Sequence, residues 1–253
     1  MLRLFSIFDT VDGEANAFSG IGELSTFVRF YGCNLRCWYC DSMKAVNGGK
    51  FDTLKVDECF DRIMKHKPRK LTITGGEPLM QGPMLVELLI TLVINAPYLK
   101  ISIETSGSMD FPKMLMIYPD NIRFVADFKP PSSGRTDWKK DIERLTTTLR
   151  PVDLVKFVFV KEDIPYIKQC IAGFVKQIPL LLPPKIAFSA VDPDKRPVKE
   201  IKEDFAYLQK EILPLLPAAY FNVLFYVQMH KMLNLDEDKS DDGKRRINLY
   251  KES

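Results

Sequence analysis

The sequence predicts an α/β fold in which strands of a parallel sheet alternate with helices, and three observations carry that expectation. Seven short runs, rich in β-branched and aromatic residues, are almost continuously hydrophobic, the form taken by strands buried on both faces of a parallel sheet. Five segments with helical spacing lie between them. At 253 residues, with 46% hydrophobic and 27% charged residues, the chain is long enough for one large domain and has ordinary globular composition. Right-handed crossovers then leave two architectures, an open sheet or a partial barrel.

The strand runs are STFVRF at 25–30, KLTIT at 70–74, KISIET at 100–105, IRFVADF at 122–128, DLVKFVFV at 153–160, KIAFSA at 185–190 and FNVLFYVQ at 221–228. Helical spacing covers 56–66, 82–95, 136–149, 163–177 and 198–213, the second segment beginning after Pro78 and Gly82. The first residues, MLRLFSIFDTVDGE, reach Asp9, Asp12 and Glu14 before any long apolar run, so no secretory signal is expected. The greasiest stretch, Leu85 to Ile94, contains Glu87 and is about half the roughly 20 residues that span a bilayer. A net charge of +3 is too slight to argue for a membrane surface or nucleic acid. The expectation is a cytoplasmic protein with a core domain over 1–235 and a charged tail over 236–253.

Ligands of parallel α/β folds sit at the carboxyl ends of the strands, where loops converge. There the sequence places a cysteine loop, GCNLRCWYCDS at 32–42, then TGGEP at 74–78, ETSGS at 104–108 and DFKPPSSG at 127–134. Cys33, Cys37 and Cys40 follow a C-x3-C-x2-C spacing that brings all three sulfurs within reach of one metal centre. Structural zinc takes four closed ligands, and His66 and His230 are the only histidines, neither suitably spaced. An iron-sulfur cluster held by three cysteines leaves one iron open to a substrate or cofactor. Cys59 and Cys170 fall inside helical patterns and read as thiols without chemistry, while His66, among basic residues, reads as surface. In TGGEP, paired glycines let backbone approach a ligand, and Glu77 either receives an ammonium group or caps the following turn.

The cysteine loop resembles that of the radical S-adenosylmethionine enzymes, in which three cysteines hold a 4Fe-4S cluster whose fourth iron is chelated by S-adenosylmethionine. The resemblance implies a partial (β/α)6 TIM-like barrel with modified helices. It also implies that Tyr39 lies near the adenine, that Gly75, Gly76 and Glu77 bind the methionyl amine, and that Thr105, Ser106, Lys129 and Ser132 bind the cosubstrate's carboxylate and ribose.

Within that superfamily, Gly13-Glu14, FVRF before the loop, Asp41-Ser42 after it, KPPSSG, KFV at 156–158 and Gln228-x-His230 together resemble the 7-carboxy-7-deazaguanine synthase family. The resemblance implies a lyase that uses a 5′-deoxyadenosyl radical to take a hydrogen from 6-carboxy-5,6,7,8-tetrahydropterin, then contracts the ring with loss of ammonia, in queuosine-type deazapurine biosynthesis. It implies Mg²⁺ on Ser42 and substrate contacts from Gly13, Glu14, Arg29, Thr74, Gln228 and His230. A homodimer and an electron donor such as flavodoxin or ferredoxin are further implications, with no direct nucleic-acid contact. Physical chemistry agrees at several positions. Arg29 presents a planar fork suited to a carboxylate, Ser42 a hard oxygen suited to Mg²⁺, and Glu14 an acceptor for the amino and ring N–H groups of a pterin. Gln228 and His230 stand two apart and so share a strand face. The family pattern Gln-Gly-Glu-Gly is here Asp12-Gly13-Glu14-Ala15, and a Thr-Asn-Gly-Thr run is here Thr-Ser-Gly-Ser. Competing expectations are a glycyl-radical enzyme activase, whose substrate is a polypeptide, and a metal-stabilised interaction module, which calls for a basic aromatic stripe that the near-balanced charge does not supply.

Overall fold

The computed structural model describes residues 1–18, 21–112, 121–177, 182–192, 195–217 and 222–228. Seven strands run parallel to one another: β2 (Leu24–Phe30), β4 (Lys70–Gly75), β5 (Lys100–Thr105), β6 (Ile122–Phe128), β7 (Leu154–Phe159), β8 (Lys185–Ala190) and β9 (Val223–Phe225). Two more, β1 (Leu2–Val11) and β3 (Asp52–Leu54), extend the sheet antiparallel at its first edge. The order is β3-β1-β2-β4-β5-β6-β7-β8-β9. β2 pairs with β4, and from β4 onward each strand pairs with the next one along the chain, so the sheet winds in one direction and curls into a partial barrel. The helices are α1 (Val56–Lys65), α2 (Pro83–Asn95), α3 (Trp138–Thr148), α4 (Ile164–Gln177) and α5 (Val198–Ile212).

The strand pleat sorts residues between two cores. Phe30, Ile73, Ile103, Phe124, Phe157 and Phe188 point outward and pack against helix residues such as Leu88, Leu92, Leu145, Ile171 and Leu208. A smaller inner cluster joins Val125, Leu154, Ala187 and Tyr226 to Ala15 and Ala17, which come from the segment after β1. That segment plugs the barrel. Its Ala17 carbonyl accepts hydrogen bonds from Arg123 Nη1 at 2.8 Å and Lys185 Nζ at 2.9 Å, and Asp12 pairs with the buried Lys70 at 2.8 Å. Gly13 and Glu14 are thereby held between two anchored points.

Strands, helices and parallel pairing follow the sequence expectation closely, with β9 shorter than the run at 221–228. The ten-residue β1 and the three-residue β3 are the strands the hydrophobic runs did not reveal; in β1, Arg3, Ser6, Asp9 and Thr10 interrupt the apolar character. Those polar residues are tolerated because they find partners. Asp9 is buried and accepts from Thr26 Oγ1 at 2.5 Å and pairs with His66 Nδ1 at 3.1 Å. His66 is therefore a buried residue, 3% exposed, and not the surface histidine expected among its lysines. Cys59 and Cys170 are both fully buried in α1 and α4. Among the described residues no helix is long and apolar enough to cross a membrane. The charged tail, 236–253, lies outside the described residues.

One buried carboxylate ties β6 to the start of β7. Asp153 is fully buried and accepts from the Phe124 amide at 2.9 Å, the Arg150 amide at 2.8 Å, and Arg150 Nε and Nη2 at 3.0 and 2.9 Å. Removing it leaves several buried donors unsatisfied. Asp153→Ala is expected to cost about 3–5 kcal/mol in urea-induced unfolding, whereas a loss below about 1 kcal/mol would mark it as no more than a surface ion pair.

Candidate functional site

A cavity opens at the carboxyl ends of the strands, and its wall takes residues from β2, β4, β5, β6 and β7, from the cysteine loop and from the plug segment. The cysteine loop leaves β2 through Gly32, whose φ of +99° is a left-handed conformation suited to glycine. Its course is fixed at both ends: Gly32 donates to the Ala45 carbonyl at 2.8 Å, Asn34 Nδ2 to Ser108 Oγ at 2.9 Å, and Trp38 Nε1 to the Ser132 carbonyl at 2.7 Å. Cys33, Cys37 and Cys40 are half-buried free thiols that all reach the cavity wall.

Burial pushes the Cys33 thiol up to about 11, and the Cys37 and Cys40 thiols also upward. At neutral pH such thiols stay protonated unless a metal centre draws the thiolates out. Among the described residues no three His, Cys, Asp or Glu side chains are gathered tightly enough to hold one ion. Three thiols spread along a shared wall suit separate irons of one cluster, which leaves its fourth iron for a chelator from the cavity side. The donor set therefore fits a 4Fe-4S cluster.

The TGG turn is pressed against the root of this loop. A Cβ on Gly75, whose φ is +134°, would lie 2.1 Å from the Phe30 carbonyl oxygen, and one on Gly76 would lie 2.1 Å from the Gly32 carbonyl oxygen. The two backbones are stitched by Gly76 N to Phe30 O at 2.9 Å and Glu77 N to Gly32 O at 2.8 Å. Both glycines face the cavity. Glu77 does not. Its side chain is fully buried and accepts from the Leu79 amide (3.1 Å), Thr105 Oγ1 (2.8 Å), and the Ser106 amide and hydroxyl (2.8 and 2.7 Å). Of the two roles the sequence offers Glu77, the structure shows the turn cap, through the Leu79 amide, and adds a brace to the end of β5. Thr105 and Ser106 remain on the cavity wall, held by that brace.

Tyr39 lies on the wall with Lys129 Nζ 5.2 Å from its ring centre, and burial pushes its hydroxyl upward in pKa. Burial disfavours the charged form of Lys129, yet Asp127 at 2.8 Å outweighs this and holds it well above the usual lysine range. Ser132 meets the cysteine loop through its carbonyl, not its hydroxyl. On the far side, Arg29 Nη1 donates to Ser42 Oγ at 2.9 Å while its guanidinium stacks 5.3 Å above Phe8, and Ser42 donates to Asp41 at 3.0 Å. Glu14 is bonded to Lys156 Nζ and to Gln228 Nε2, and Gly13 lies beside it on the wall. Thr74 Oγ1 donates to Glu104 Oε2 at 3.2 Å. His230 lies outside the described residues.

Charged wall residues that were not among the expected ligands include Glu104, Asp127 and Lys156, each from a strand. Their signal was a charge inside a strand run whose other residues are buried; β7, LVKFVF, is buried at all six positions, lysine included. An inward charge on such a strand needs a partner, and the partners converge here.

The model of the Radical SAM superfamily matches residues 27–127, from β2 to the end of β6. The chain is 32% identical over 184 residues to the 7-carboxy-7-deazaguanine synthase of Methanospirillum hungatei, spanning 72% of each chain. It is 37% identical over 158 residues to that of Koribacter versatilis, spanning 62% of this chain and 64% of the relative. In structure it resembles QueE from Escherichia coli with a TM-score of 0.56 at 16% identity, over 88% of this chain and 93% of that one, a likeness of fold. Three thiols at the mouth of a singly wound partial barrel and the matched model define a radical S-adenosylmethionine enzyme. More narrowly, the chain belongs to the 7-carboxy-7-deazaguanine synthase family, whose members are radical S-adenosylmethionine lyases.

The contact at Gly76 yields a test. Gly76→Ala pushes the turn off the cysteine loop, so after anaerobic reconstitution the variant should hold less than about half the iron and sulfide of the unaltered protein, with proportionally weaker brown absorption, while its unfolding free energy stays within about 2 kcal/mol of normal.

Proposed function

We propose that the protein converts 6-carboxy-5,6,7,8-tetrahydropterin to 7-carboxy-7-deazaguanine with loss of ammonia, in queuosine-type deazapurine biosynthesis. The observation that supports this most directly is a single cavity in which the cysteine loop faces both a guanidinium, Arg29, and a carboxyl group, Glu14, paired with Lys156. When bound, the cluster and S-adenosylmethionine supply one-electron chemistry that starts with removal of a hydrogen atom from the substrate. The protein's task is to bind and orient. Arg29 offers its fork to the substrate carboxylate. Glu14 accepts from the amino and ring N–H groups, while Lys156 and the Gln228 amide fix the orientation of its carboxyl group. Gly13 and Thr74 complete this half of the wall.

Cys33, Cys37 and Cys40 would hold the cluster, and the Gly75-Gly76 backbone, Tyr39, Thr105, Ser106 and Lys129 would face S-adenosylmethionine. Ser42 is the proposed Mg²⁺ ligand, with Asp41 adjacent and the remaining positions left to water and substrate oxygens. The reading extends to a cytoplasmic homodimer reduced by a donor such as flavodoxin or ferredoxin. A glycyl-radical enzyme activase would have to admit a polypeptide, and it gives no use for Arg29, Glu14 and Gln228 together on one wall.

The test is anaerobic reconstitution, followed by incubation with S-adenosylmethionine, a reductant, Mg²⁺ and carboxytetrahydropterin. Formation of 7-carboxy-7-deazaguanine by mass spectrometry is expected; deoxyadenosine without that product would overturn the substrate assignment. In the same assay Arg29→Lys, which keeps the charge and loses the fork, should raise KM about 10- to 150-fold with little change in kcat, the loss of about 1.5–3 kcal/mol of charge-assisted hydrogen bonding. An unchanged KM would remove Arg29 from substrate recognition.

A further inference from the structure

A second concave surface lies at the other end of the barrel. The amino ends of β2, β4 and β5, with the turn that follows α1, enclose a cleft of about 1010 Å³ that shares no residue with the cavity at the cysteine loop. Its charge is lopsided. Lys67, Arg69, Lys70 and Lys100 line it against two carboxylates, Asp9 and Glu23. Asp9 is committed to Thr26 and His66, and Lys70 to Asp12 at 2.8 Å, with Glu23 3.5 Å away. Lys67, Arg69 and Lys100 make no ion pair with any described residue.

These cations are not scattered surface charges. Lys100 stands in register with Lys70 on the neighbouring strand, so both side chains emerge on the same face of the sheet, and like charges so placed repel unless an anion lies between them. Lys67 has a φ of +52°, a left-handed conformation that a residue with a side chain rarely adopts, in the turn that brings it and Arg69 to one wall. Strain of this kind persists where the position of a side chain matters. The dipole of α1 accounts for Lys65 and Lys67 at its carboxyl end, but not for Lys100, which belongs to β5. At the rim stand two exposed apolar groups, Tyr98 at 61% and Leu24 at 46% exposure.

We propose that this cleft binds a nucleoside monophosphate, its phosphate held by Arg69, Lys67 and Lys100 and its base laid on the ring of Tyr98. Four cations against two carboxylates leave a surplus of two positive charges, the counterpart of a phosphate monoester near neutral pH. A triphosphate or a nucleic-acid strand brings more negative charge than this surplus answers. The volume far exceeds what inorganic phosphate fills and is that of a cleft for a small organic ligand. Arg69 supplies a planar fork for two phosphate oxygens, the lysines supply point charges, and an exposed tyrosine ring stacks with any base. Neither the cluster nor the pterin enters this assignment, so it holds or fails separately from the proposed reaction.

The test is equilibrium dialysis of the reconstituted protein, saturated with S-adenosylmethionine so that the other cavity is occupied, against the four common nucleoside 5′-monophosphates, inorganic phosphate and a short single-stranded RNA. At least one nucleotide should bind saturably at one site per chain, about 5- to 150-fold more tightly than inorganic phosphate, the margin that stacking on one ring provides. Arg69→Ala should weaken that nucleotide about 10- to 150-fold. Tyr98→Ala should abolish its advantage over inorganic phosphate and leave the binding of inorganic phosphate itself unchanged. Both side chains are exposed, so both variants should keep the normal unfolding midpoint and the normal content of iron and sulfide. Absence of saturable binding by all four nucleotides, or affinity unchanged in both Arg69→Ala and Lys100→Ala, would overturn the proposal. So would inorganic phosphate binding as tightly as every nucleotide, the mark of an adventitious ion only, or RNA binding more than about tenfold more tightly than any nucleotide, the mark of a nucleic-acid surface.

Discussion

The rest of the site depends on the close approach of two stretches of backbone. The turn after β4 lies so near the exit of β2 that neither Gly75 nor Gly76 has room for a single methyl group, and two amide-to-carbonyl hydrogen bonds lock the pair. A loop carrying three thiols is otherwise a flexible object, since loops lose order most readily. Here its root is clamped to a strand end buried in the sheet. Glu77 extends the clamp to β5 through Thr105 and Ser106, so that three successive strand ends are joined by hydrogen bonds before any ligand arrives. Preorganisation of this kind spares the bound complex part of the ordering entropy.

The opposite wall is organised by charge. The plug segment after β1 enters the barrel, where two cations hold Ala17 and a buried ion pair holds Asp12. This leaves Glu14 projecting to meet Lys156 and Gln228. Each buried charge on this wall is a liability unless matched, and the pairs Lys70–Asp12, Lys129–Asp127 and Lys156–Glu14 supply the matching. The two walls thus divide the labour: neutral, tightly stitched backbone where a cofactor is to sit, and paired side-chain charges where a polar heterocycle is to sit.

Most of the barrel was legible from the sequence because parallel strands buried on both faces are written as unbroken apolar runs, as in KISIET and DLVKFVFV. The strand β1 was not, since its polar residues are reconciled only by Thr26 and His66, neighbours that are distant in sequence. The cysteine spacing was equally legible, being local. The direction in which Glu77 points was not, because its carboxylate is claimed by donors on β5 that no spacing rule places beside it. Glu104 and Lys156 lay in plain view as charges within apolar strands, yet their pairing depends on which of several carboxylates each ammonium reaches, a matter of three-dimensional arrangement.

The bonds of Glu14 span 142 residues to Lys156 and 214 to Gln228. The pocket is therefore sewn from segments far apart along the polypeptide. During synthesis the cysteine loop emerges early and its glycine clamp soon after, but the polar half of the chamber has to wait for the last parallel strand. A ribosome-bound fragment lacking that strand has thiols near its surface and no finished chamber over them, and long-range closures of this kind are the slow ones in folding. Maturation with iron and sulfide is thereby best deferred until that strand has been made and has closed the sheet.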